Sequence, residues 1–153
     1  MVVLHFVKRE LETLFVHRFS ADTMPLTYIF RNSAHYWLLA GLVFGYIVYR
    51  PGYYTRVQRD PTQTLIAIIL YLFAELSNFR VHLTLRHLRP AGSRLRQIPY
   101  GYGFDWPFGG ISLPNYFFEI IAWVVIGAWS GCWAVLPFIA VAVFIMDRWA
   151  QQV

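Results

Sequence analysis

Three groups of polar residues sit inside otherwise apolar stretches of this 153-residue sequence, at spacings that could do chemistry. On a helix turning about 100° per residue, Glu75, Asn78, His82, Arg86 and Arg89 fall within about 80° of one another, while Arg80 points nearly the opposite way. One face of that helix is therefore a polar stripe, opening with a carboxylate and an amide and closing with two guanidiniums. Such a stripe suits a long ligand with a phosphate end, because guanidinium matches phosphate geometry. The bland alternative is a helix end with snorkelling arginines, which accounts for Arg86 and Arg89 but not for Glu75, Asn78 and His82. Near the N-terminus His5, Lys8, Arg9 and Glu12 lie within about 100° of each other on a helix. Lys8 and Glu12, at i and i+4, read either as a self-neutralising ion pair or as a proton-donor site in which burial lowers the lysine pKa. In the third group Pro114 starts a helix whose first turns carry Asn115, Tyr116 and Glu119. There a carboxylate is mildly stabilising in its own right.

These groups need elements to carry them. Hydrophobic residues make up 58% of the chain and charged residues 14%, against about 25% charged in an ordinary soluble domain. The expected fold is all-α, a multi-pass membrane bundle of about five helices in one domain over residues 1–153. A span needs about 20 residues. Asn32 to Tyr49 is free of Asp, Glu, Lys and Arg. A helix from Pro61 runs on to Arg89, where Pro90 and Gly92 end it. The uncharged run Ile120 to Met146, broken by Ser130, Gly131 and Cys132, predicts a hairpin with arms near Ser112 to Trp129 and Cys132 to Trp149. Met1 to Phe19 is a further membrane helix, interrupted by Lys8, Arg9, Glu10 and Glu12. It is a poor secretory signal, since its charges follow a short apolar run.

Ionisable side chains at bilayer depth cost about 2.5–3.5 kcal/mol on insertion scales. Three such groups on three helices are therefore expected to converge on one buried, ligand-binding cavity. The formal charge is +5. With alternating helices, Arg18, Arg31, Arg86, Arg89, Arg94, Arg96 and Arg148 share one face, which the positive-inside rule makes cytosolic. Arg50, Arg56 and Arg59 lie on the other. No nucleic-acid recognition module is present, so the basic face points to anionic headgroups or a phosphorylated ligand. Cys132 is the single cysteine, which leaves no intrachain disulfide and no Cys-based metal site. His17, His35 and His87 lack metal-ligand spacing, and the glycines at 101, 103, 109 and 110 read as an irregular interfacial loop.

The string His5-Phe-Val-Lys-Arg-Glu-Leu-Glu-Thr-Leu-Phe-Val-His-Arg-Phe-Ser20 with Thr23-Met-Pro-Leu26 resembles the very-long-chain trans-2-enoyl-CoA reductases of the steroid 5α-reductase family. Asn78-Phe to His82, Leu85-Arg-His-Leu-Arg-Pro-Ala-Gly-Ser93 and Ile98-Pro99 look like that family's cofactor-binding helix and loop, and Pro114-Asn-Tyr-Phe-Phe-Glu119 like its next signature. The resemblance implies an NADPH-dependent reductase of the endoplasmic reticulum membrane, multi-pass, which completes each cycle of fatty-acid elongation. Its partners would be a long-chain acyl-CoA substrate, membrane lipid and other elongation-cycle enzymes. It implies Lys8 and Tyr116 as the catalytic pair, and Asn78, His82, Arg86, Arg89, Asn115 and Glu119 as cofactor-binding residues, with no metal. It also implies further segments before the first motif and a basic, Tyr-bearing segment after the last helix. Gln97 departs from the family's usual basic residue. The competing readings are a sterol or polyprenol double-bond reductase, a truncated non-catalytic membrane subunit, and a small channel.

Overall fold

The computed structural model describes residues 1–18, 23, 25–53, 59–90, 93, 111 and 113–151, apart from the side chains of residues 31, 149 and 150. Expectations resting on Arg94, Arg96, Arg56, Ser112, Ile98-Pro99 and the glycine-rich loop fall outside those residues. The described residues are helical or irregular, with no strand among them.

The helices are α1 (Val2–Phe15), α2 (Leu26–Ser33), a π-helical segment π1 (Ala34–Phe44), α3 (Gly45–Tyr49), α4 (Pro61–Leu88), α5 (Pro114–Ser130) and α6 (Val135–Ala150). Ser33, Phe44 and Gly45 all keep helical backbone angles. Residues 26–49 therefore form one rod with a wider-turned middle, and the described residues make five rods. This rod begins at Leu26, earlier than the uncharged run from Asn32 requires. The first rod is shorter than the apolar N-terminal stretch implies: fourteen residues reach about 21 Å at 1.5 Å each, less than the roughly 30 Å hydrocarbon layer. Among the described residues one helix, α4, is long and apolar enough to cross a membrane by length and composition.

Local chemistry sets the ends. Asp60 caps α4, its carboxylate accepting the Thr62 N–H at 3.2 Å with Pro61 at the first helical position, where a missing N–H costs nothing. Pro114 opens α5 in the same way. Gly131, at φ 66°, takes the left-handed conformation that ends α5 and turns the chain into α6, a backbone state open to glycine without Cβ strain. The hairpin expected around Ser130 to Cys132 is thus present.

α4 and α5 pack closely, with α6 and the 26–49 rod closing the apolar core around Phe44, Tyr71, Ala74, Ala122, Ile126, Phe138 and Trp123. Trp123, 1% exposed, lies tilted against Phe138 at 4.4 Å and edge-on to His5 at 5.2 Å, so it stands between this core and the polar cluster beyond it. The hairpin arms touch where Gly127 faces α6. A Cβ there would stand 2.3 Å from Val135 Cγ1, so Gly127→Ala is expected to destabilise by about 1–3 kcal/mol, as overpacking does. Denaturant midpoints check this, and Val135→Ala in the same chain should restore most of the loss.

The outside is as informative as the core. Leu4, Leu14, Phe30, Trp37, Tyr46 and Leu76 are all more than 60% exposed, whereas His5, Glu12, Glu75, Asn78, His82 and Glu119 are buried. Large apolar side chains thus face outward while ionisable and amide groups are buried beside the apolar core, a pairing unusual for a soluble helical protein.

Candidate active site between α1, α4 and α5

The α1 face carrying His5, Lys8, Arg9 and Glu12 meets the α4 stripe along its length. Tyr71 fixes the register by donating its hydroxyl to Met1 O at 2.8 Å. One turn along, His5 Nδ1 meets Glu75 Oε1 at 2.7 Å, and His5 Nε2 lies 3.9 Å from Glu119 Oε1 on α5. His5 Nε2 makes no hydrogen bond itself.

Lys8 is the centre of the cluster. Its ammonium donates to Asn78 Oδ1 at 2.5 Å and stands 3.1 Å from Glu12 Oε1 and 3.0 Å from Glu75 Oε2. Neither carboxylate oxygen receives a directed hydrogen bond, so these two contacts act as charge neutralisation and the aligned donor belongs to Asn78. The expected i,i+4 pair of Lys8 and Glu12 exists, with Glu75 as a second acid that the one-helix argument did not supply. Asn78 passes the connection on, its amide donating to Asn115 O at 2.7 Å. That bond places the first turn of α5, with Tyr116 half-buried in it, beside the cluster. Lys8, Asn78, Asn115 and Glu119 are thus brought together. Asn78, 2% exposed and bonded at both ends of its amide, holds Lys8 and α5 in place.

Further along, Arg9 Nη1 reaches Glu12 Oε2 at 3.2 Å and His82 Nε2 at 3.0 Å. Arginine only donates, so His82 Nε2 accepts and its Nδ1–H faces His17 Nε2 at 3.0 Å. Glu12, His17 and His82 each bring a ligating atom within 4.8 Å of the others. The Arg9 guanidinium bonded to two of the three already supplies positive charge there. His17, separated from His82 by 65 positions, carries no sequence signal for this role.

His17 lies beyond the last turn of α1, and its pKa is lowered to about 4, first by burial and then by the positive Arg9 and Lys8. Its ordinary value is about 6.5, so between pH 6.5 and 4 the unfolded chain takes up a proton that the folded chain does not, and stability falls as pH drops through that window. The free energy of unfolding should therefore fall on acidification across that window by on the order of 1 kcal/mol after solvent screening, and thermal midpoints should fall with it. His17→Gln should flatten that limb.

At the end of the stripe Arg86 donates to Phe15 O, the last carbonyl of α1, and Arg89 and Arg18 donate to each other's backbone carbonyls. Cations at a helix C-terminus are stabilising, which gives both stripe arginines a structural task. Three guanidiniums bonded to neutral carbonyls also concentrate positive charge at this end, a donor set that fits the phosphates of a dinucleotide.

Residues 22–153 match the family model described as 3-oxo-5-alpha-steroid 4-dehydrogenase. The chain belongs to that family. Among its relatives, a Schizosaccharomyces pombe protein named provisionally as an enoyl reductase is 47% identical over 152 residues, 99% of this chain and 50% of its own length. The very-long-chain enoyl-CoA reductase of Dictyostelium discoideum is 40% identical over 79% of this chain and 38% of its own. A Caenorhabditis elegans protein named as a probable very-long-chain enoyl-CoA reductase is 33% identical over 96% and 48%. The chain thus spans half or less of the length of these relatives. No solved structure matches it. The family model begins after α1, whereas the S. pombe match takes in Lys8 and all of α1.

Proposed function

We propose that this chain forms the core of an NADPH-dependent reductase acting on the trans-2 double bond of very-long-chain enoyl-CoA, the last step of the fatty-acid elongation cycle, in the endoplasmic reticulum membrane. The observation that carries the reading is Lys8. Its side chain is 20% exposed, while the two carboxylates behind it, Glu12 and Glu75, are 1% and 8% exposed. A cation backed by buried acids, open on one side only, is placed to meet a negative charge that develops during reaction.

NADPH, when bound, supplies the hydride that reduces C3 of the enoyl thioester. Arg18, Arg86 and Arg89 are the residues to hold its phosphates, with Asn115, His82 and Glu119 nearer the reacting end. The negative charge that develops on the thioester oxygen and C2 is then met by Lys8 or by Tyr116, one stabilising the enolate and the other giving C2 its proton. Asn78 keeps Lys8 aimed. Glu75 and Glu12 hold its ammonium from behind.

The exposed apolar faces and buried ionisable groups support a multi-pass arrangement. α4 crosses the bilayer, the 26–49 rod and the α5–α6 hairpin run beside it with exposed apolar faces, and short α1 packs its charged face inward. Within a bilayer this turns exposed leucines into lipid contacts and keeps ionisable groups in a protein-lined cavity.

The test is NADPH oxidation by the purified protein in detergent with a long-chain trans-2-enoyl-CoA, beside a longer form carrying the relatives' flanking segments. Turnover in either form supports the assignment, and silence in both overturns it. The family model's description favours a steroid as the second reading, so a 3-oxo-4-ene steroid is assayed in parallel. Faster turnover of the steroid would move the assignment to that branch.

A further inference from the structure

At the far end of α4 from the arginine cluster, α4 and α5 leave between them a groove of about 300 Å³. Most of its wall is apolar, with Ile66, Ala67 and Leu70 from α4 and Val125 and Ala128 from α5, and Gln63 of α4 adds one neutral polar side chain. Arg59 and Trp129 complete its lining. Arg59 Nε is buried and makes no hydrogen bond, an arrangement that is costly unless an acceptor arrives. The adjacent acid does not supply one: Asp60 turns Oδ1 to the cap of α4, and Arg59 Nε bonds to neither of its oxygens. No carboxylate lines the groove among the described residues.

The level of the groove is marked by amphipathic rings. Trp129 Nε1 donates to Thr64 Oγ1 at 3.3 Å, and the Tyr53 hydroxyl donates to Ser130 O at 3.1 Å. Rings of this kind with an apolar body and a bonded polar tip gather at the headgroup plane of a bilayer. Below them Ile66 and Leu70, 51% and 47% exposed, continue the apolar wall outward. A guanidinium at headgroup depth with an unpartnered N–H, above an apolar slot between two helices, matches a ligand with a phosphate at one end and an acyl chain at the other.

We propose that this groove is a binding site for a glycerophospholipid, whose phosphate accepts from Arg59 Nε and one of whose acyl chains lies along Ala67, Leu70 and Val125. The site is separate from the Lys8 cluster, whose residues line none of it, and does not depend on the reductase assignment.

The delipidated protein in detergent is titrated with dioleoylphosphatidylglycerol, with dioleoylglycerol, which lacks the phosphate, and with inorganic phosphate, which lacks the chains. Retention is read by native mass spectrometry and stability by thermal midpoint. The phospholipid should be retained one-to-one and raise the midpoint, and neither control should do so. Arg59→Gln should lower affinity about tenfold, the loss of one charge-assisted hydrogen bond. Ala128→Phe, an exposed rim position, should weaken binding comparably by filling the slot while leaving Arg59 in place. Equal retention by wild type and both variants would overturn the site, as would a midpoint shift produced by either control alone.

Discussion

Replacing Lys8 by arginine is expected to leave the bundle folded and to lower kcat for enoyl-CoA reduction by about 10²–10⁴-fold, the range a positioned proton donor contributes. The charge that Glu12 and Glu75 balance at 3.1 and 3.0 Å is kept in Lys8→Arg, so the buried acids are not left alone. What changes is the donor: a planar fork replaces a compact ammonium, and arginine does not give up a proton in proteins. Stopped-flow and steady-state assays with NADPH check this, and the KM for NADPH should stay within about twofold, as for a residue whose interaction is made in the transition state. Wild-type turnover in folded Lys8→Arg would mean that Lys8 acts as a fixed charge and would shift the proton to Tyr116. Tyr116→Phe, which removes only a hydroxyl, then becomes the deciding variant. If both variants are slow, the two residues work as a unit and their losses should not add.

Much of this site was legible along single helices. The 3.6-residue period alone puts Glu75, Asn78 and His82 on one face, and all three are buried, while Arg80 on the opposite side is exposed. Asp60-Pro61 and Gly131 mark helix ends by their own backbone chemistry, so α4 and the hairpin were readable to within a few residues. Pairing between helices was not. Glu75 is 70 positions from His5, and nothing in either helix's period says which acid faces which base, because that depends on the register Tyr71 sets against Met1. Arg86 and Arg89 look like ligand residues from the stripe, yet they also bond to the carbonyls of Phe15 and Arg18, since α1 happens to end beside them. The π-helical segment over Ala34–Phe44 has no counterpart in the residue types, which are ordinary for any apolar helix. Length misled once: an apolar run with four charges reads as a span, and the helix it makes stops at Phe15.

Glu75→Leu should cost about 3–5 kcal/mol, the penalty for breaking a buried ionic contact from one side. Glu75 faces two partners, His5 at 2.7 Å and Lys8 at 3.0 Å, and leucine would leave both beside a group that offers them nothing. Glu75→Gln keeps the size and one hydrogen-bond acceptor for His5 while removing the charge, so its loss should be smaller, and the difference between the two variants isolates the packing of the hydrogen bond from the Coulombic contact. The decisive comparison is the double variant Lys8→Met with Glu75→Leu. In it Glu12 still has Arg9 at 3.2 Å, and the ammonium that Glu75 had neutralised is gone, so the combined loss should fall short of the sum by about 0.5–3 kcal/mol, as expected for residues in direct contact. Unfolding in graded denaturing detergent measures all four members of that cycle. Strict additivity would show that Glu75 serves His5 alone, and the exposed flank of Lys8 would then rest on Glu12 as its only counter-charge. A coupled pair instead makes α4 the wall that holds the cation in place, because Glu75 and Asn78 both reach Lys8 from that one helix.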